Sequence, residues 1–76
     1  MAAKWYRVLI PYREPTYELR TGGPREKPFV AAYRVRAEDS RQARHAALEL
    51  FQGDLEESGV RWAREPVMDA IEVCAL

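Results

Sequence analysis

The chain has little of what side-chain chemistry usually needs. Its 76 residues include one histidine, His45, and one cysteine, Cys74. A single cysteine cannot close an internal disulfide. One His with one Cys falls short of the four donors of an ordinary structural zinc site. No metal and no cofactor is expected. There is no Gly-x-Gly-x-x-Gly, no Walker-type loop and no Gly-x-Ser-x-Gly elbow. The Gly22-Gly23 pair could line a backbone anion nest, but two glycines do not specify one. Long apolar runs are also absent. In the opening MAAKWYRVLIPYREP the longest is Val8-Leu9-Ile10, too short for a signal peptide or a membrane span. Together with the unpaired thiol this gives the expectation of a cytoplasmic protein.

An excess of one charge sign is missing as well. Twelve Lys/Arg balance twelve Asp/Glu. Dedicated nucleic-acid binders usually carry a basic excess, so the balance speaks against one. The charges are unevenly spread. Residues 1–52 hold ten basic and six acidic side chains, and residues 53–76 hold two and six.

The lone titratable groups suggest no catalysis. His45 falls nearly opposite the apolar stripe of its helix and is expected at the surface. Cys74 lies inside a strand pattern and is expected as a small buried residue. Glu56-Glu57 reads as a solvated helix end. The chain is expected not to be an enzyme.

What is present is a strand–helix unit over Phe29–Gln52. Phe29, Ala31, Tyr33, Val35 and Ala37 alternate with a second set that turns polar, which is the period of a strand. Asp39 followed by Gln42 matches a capping box with Asp in the Ser/Thr place, and Ser40 is the alternative cap. Ala43, Ala46, Ala47, Leu50 and Phe51 then share one helical face. The helix is expected over Ser40–Gln52, with an irregular or helical tail to Ser58, because Gly53 opposes continuation by about 1 kcal/mol. The Ala37-x-Asp39 junction with Ala43, Ala47 and Phe51 resembles strand–helix units of many small bacterial α+β proteins. The likeness spans about a third of the chain and carries no function.

Lys4–Tyr12 reads as a first strand that Pro11 should end or push to an edge. Residues 11–28 hold Pro11, Pro15, Pro24, Pro28 and the two glycines, and read as a long loop with a turn at Thr21–Pro24. Val60–Arg64 is a short approach segment. Val67–Ala75 reads as one continuous last strand.

The expected fold is one α+β domain over residues 1–76, in the order β-β-α-β. It has a three-stranded antiparallel or mixed sheet with one helix on one face, comparable to half of a ferredoxin-like sandwich. A chain this short buries only about 60–65% of its unfolded surface, so oligomerisation is a natural source of further stability.

The sheet face that the helix cannot cover holds Trp5, Arg7 and Leu9 from the first strand. Val30, Ala32, Arg34 and Arg36 come from the second, and Met68, Ala70, Glu72 and Cys74 from the last. An apolar patch rimmed by charge marks an interaction surface. The leading expectation is self-association, as a homodimer or with another protein partner, with Glu72 pairing Arg7, Arg34 or Arg36. The alternative is single-stranded RNA, bound by aromatic and Arg side chains on this face and by Tyr12, Arg13, Tyr17, Arg20 and Arg25 of the loop.

Overall fold

The computed structural model describes residues 3–15, 20, 22, 27–57 and 64–76. The expected Val60–Ala63 part of the approach segment lies outside them, as do Tyr17, Arg25 and Ser58. The elements are β1 (Lys4–Arg13), β2 (Phe29–Ala37), α1 (Ser40–Glu57), β3 (Glu65–Pro66), a 3₁₀ turn at Met68–Ala70, and β4 (Glu72–Ala75). This is an α+β fold in the order β-β-α-β, with the last strand in two pieces.

The sheet is antiparallel throughout. β1 is central. It pairs with β2 in unbroken register from Lys4 opposite Ala37 to Tyr12 opposite Phe29. Its other side pairs β4, with Tyr6 opposite Ala75 through Leu9 opposite Glu72, and then β3, with Tyr12 opposite Pro66.

The period-two pattern sorts the faces. Tyr6, Val8 and Ile10 of β1 and Val35 and Ala37 of β2 point toward α1 and are buried. They meet Ala43, Ala47 and Phe51 of the helix. Ala43 and Ala47 are both fully buried, and their small side chains let α1 lie close on the sheet. Asp39 caps the helix: Gln42 N donates to Asp39 Oδ1 at 2.8 Å, and the return bond of the box is displaced by one residue, Glu38 N donating to Gln42 Oε1 at 3.1 Å.

Two expectations are corrected, and the end of the helix, left open as an irregular or helical tail, is located. First, β1 runs through Pro11 to Arg13, and the final strand is interrupted by the 3₁₀ turn. The two corrections share one cause. A strand residue points its N–H and C=O to the same side. The Pro11 carbonyl accepts from Val67 N at 2.8 Å, so the missing Pro11 N–H also points toward the last segment. There the chain loops out at Met68–Ala70, between β3 and β4, and no ladder donor is required of Pro11. Met68 and Ala70 consequently leave the sheet face.

Second, α1 is helical through Gly53 to Glu57. Tyr33 OH on β2 donates to Asp54 Oδ2 at 2.8 Å and holds this last stretch to the sheet. Gly53 has ordinary helical backbone, and a Cβ there would meet no atom within 4 Å. Gly53→Ala is therefore expected to stabilise the fold by about 1 kcal/mol, read as a rise in melting temperature. Unchanged or lower stability would contradict a helical Gly53.

Third, Leu50 is 48% exposed, and Leu48 packs against the core instead. Arg44 Nη2 donates to Met68 O at 3.1 Å. With Ala43, Ala47 and Phe51 centred on the sheet, the Arg44/Leu48 flank lies toward Met68 and Leu50 lies on the opposite flank.

Candidate functional site

No described helix or strand packs on the second face of the sheet. Trp5, Arg7 and Leu9 of β1 lie on it, with Val30, Ala32, Arg34 and Arg36 of β2 and Glu72 of β4, as the alternation requires. Leu76 joins them: its N–H donates to Trp5 O at 2.9 Å, which continues the β4 register by one residue. Trp5, Val30 and Leu76 are 49%, 57% and 62% exposed. Cys74 is exposed, contrary to the expectation of burial, because it shares this bare face opposite Arg7.

The charges on the face are clustered. Arg7 stands directly opposite Arg34, and Trp5 opposite Arg36. Like charges in that position repel. Arg34 places its guanidinium 5.8 Å from the Trp5 ring centroid, a cation–π distance. Among the described residues no carboxylate pairs with Arg7, Arg34 or Arg36. Glu72 sits opposite Leu9 rather than an arginine.

Of the loop group, Tyr12 and Arg13 point to opposite faces of the sheet. Tyr12 and Arg13 belong to β1. Tyr12 faces the helix, where its ring stacks on Phe29 at 5.5 Å and tilts against Phe51 at 5.4 Å. Arg13 lies opposite Glu65 with its side chain toward the other face. Arg20 is exposed. Tyr17 and Arg25 lie outside the described residues. Gly22 has φ 111°, a backbone that favours glycine, within the expected turn.

A second polar cluster was not legible in the sequence. Glu14 is buried at 6% exposure, and its Oε1 lies 3.2 Å from Arg64 Nε. Arg64 also stands over the Tyr12 ring at 5.6 Å. Fifty positions separate the pair, and neither residue belongs to a local pattern.

Near this end, burial pushes the Tyr33 hydroxyl up to about 12 from its ordinary 10, aided by the Asp54 carboxylate that accepts its hydrogen bond. The folded value lies above the unfolded one, so this contribution to stability is whole below pH 10. It is lost as the pH rises from 10 through about 12. In a spectrophotometric titration one tyrosine should ionise late, and Tyr33→Phe should remove that late step. If the wild type shows no late step, the Tyr33–Asp54 bond is not maintained in solution.

Among the described residues no nucleophile–base pair is seen. His45 is exposed and meets Glu49 at 3.1 Å on the helix surface. Two shallow grooves, about 420 and 390 Å³, run beside His45, Leu48 and Glu49. Among the described residues no group of three or more His, Cys, Asp or Glu could hold a metal ion, and no helix is long and apolar enough to cross a membrane. Set against protein-family models, curated proteins and solved structures, the chain matches none.

Proposed function

We propose that this chain is a non-enzymatic interaction module that associates with a second copy of itself through surfaces its sheet leaves uncovered. The carrying observation is the exposure of the apolar side chains Trp5, Val30, Leu50 and Leu76 around a sheet whose second face and outer β2 edge carry no described helix or strand. Apolar side chains grouped this way and rimmed by charge are the usual make-up of an interaction surface. The small core gives a reason to associate, since a 76-residue chain leaves much of its apolar surface wet. Sedimentation from low to high micromolar concentration is the test. The weight-average mass should rise from 8.8 kDa toward twice that value. A constant monomer mass over the whole range would overturn the reading.

A second reading is favoured by one observation. Arg7 and Arg34 oppose each other without a carboxylate partner among the described residues, beside an exposed Trp5. An aromatic ring flanked by cations suits a single-stranded nucleic acid, with a base on the ring and phosphates on the guanidinium groups. The zero net charge places this second. It expects salt-sensitive binding of a labelled single-stranded oligonucleotide, weakened about tenfold or more by Trp5→Ala. Absence of binding at low salt removes it.

A further inference from the structure

We infer that the second copy docks along the outer edge of β2, antiparallel and in one register centred on Tyr33, rather than face to face. This rests on the self-association proposed above and specifies its geometry.

Three observations carry it. The first is the edge. Among the described residues β2 pairs on one side only, with β1. From Val30 to Ala37 its other side offers a row of backbone donors and acceptors. Edge strands are commonly blunted by proline, by charged side chains or by a bulge. This stretch has no proline and its register with β1 is unbroken, so its charges, Arg34 and Arg36, are what a docking register must accommodate.

The second is charge. Stacking two bare faces would bring together two copies of the Arg7, Arg34 and Arg36 cluster with one Glu72 each. Edge pairing avoids this in a defined register. Two antiparallel strands related by a twofold axis oppose residues whose numbers sum to twice the axial residue. An axis at Arg34 sets that arginine on itself. An axis at Val35 sets Arg34 against Arg36 of the second copy. An axis at Tyr33 sets Arg34 opposite Ala32 and Arg36 opposite Val30, and it overlaps the whole strand from Phe29 to Ala37. Axes nearer Phe29 also separate the arginines but shorten the overlap. Length and charge therefore select the same register.

The third is Leu50. It is 48% exposed and lies one helical turn before Asp54, whose carboxylate is bonded to Tyr33 of β2. Residues four apart share a helix face, so Leu50 stands on the β2 side of α1. A strand added at that edge would bring apolar surface beneath it. The product is one continuous antiparallel sheet, with both helices on one side and both bare faces on the other.

The test places spin labels, in a Cys74→Ser background, at Val30→Cys and separately at Arg36→Cys, at a concentration where the chain is associated. Both sites lie three residues from Tyr33. Both backbone separations should then be about 20 Å, six residues at about 3.4 Å each. Moving the axis by one residue would make the two separations differ by about 13 Å. Val30→Glu is the second measurement. In the edge register it places a carboxylate opposite Arg36 of the second copy, twice per dimer, and should tighten association about fivefold. Burial of Val30 between stacked faces would weaken association instead. A dimer with unequal separations, or one weakened by Val30→Glu, overturns the edge geometry and leaves self-association standing. A monomer at every concentration overturns both.

Discussion

Ile10→Ala is expected to lower the unfolding free energy by about 4 kcal/mol, toward the upper part of the range for such truncations. Ile10 is fully buried, as is Val8 one step along the same face. It lies on β1, the strand with which every other strand pairs. Across from it α1 presents Ala43 and Ala47, both fully buried. Alanine has no side-chain torsion with which to swing into a cavity, so the void would stay open and the cost high. A domain of 76 residues has a total stability of about 4–11 kcal/mol. The variant should therefore be close to half unfolded or worse at the low end. Urea unfolding followed by circular dichroism checks this, with Ile10→Val as a control losing about 1 kcal/mol. A loss below about 1 kcal/mol for Ile10→Ala would show that α1 does not seal this part of the sheet.

The same residues show which parts of the fold were legible beforehand. Alternation over Phe29–Ala37 and the Asp39–Gln42 cap are local, and local signals survive folding when no distant partner opposes them. The break at Met68–Ala70 was not local. It answers Pro11, which lies beside it only in the folded sheet. The end of α1, open in the sequence between Gln52 and Ser58, is decided for a like reason: glycine propensity at Gly53 is a weak term, and the Tyr33–Asp54 bond together with a half-buried Leu55 outweighs it. Wheel arithmetic groups the apolar residues of α1, but the face that packs is centred on Ala43, Ala47 and Phe51 and takes in Leu48 rather than Leu50.

For the candidate site, parity alone assigned Trp5, Arg7, Leu9, Val30, Ala32, Arg34, Arg36 and Glu72 to one face, because period two is rigid in a strand. Pairing within the face was not legible. That Arg7 meets Arg34, and that Glu72 meets Leu9, depends on strand register. Burial of Cys74 was inferred from what cysteines usually do, but a residue on a face without a covering layer stays exposed.

Glu14→Ala is the other change with a large expected effect, about 2–3 kcal/mol of lost stability. The carboxylate is almost wholly buried, whereas the Arg64 side chain retains 21% of its exposure. That residual access to water places the cost below the 3–5 kcal/mol typical of a fully buried pair broken on one side. Arg64 Nε, 3.2 Å from the carboxylate, finds no well-aligned hydrogen-bond partner among the described residues. Attraction between the charges therefore carries the contact, and removing Glu14 takes away the counter-charge of a guanidinium that stands over the Tyr12 ring. Arg64→Met should also cost stability, by removing the positive charge beside the buried carboxylate. The double variant Glu14→Leu with Arg64→Met should recover most of the loss, because apolar groups of similar size need no counter-charge. A double-mutant cycle in urea should give a coupling of about 2 kcal/mol. Strict additivity would mean that each side chain acts through its own packing. Recovery would also restore the Tyr12, Phe29 and Phe51 stack at this end of the sheet, visible as a return of the near-ultraviolet tyrosine signal.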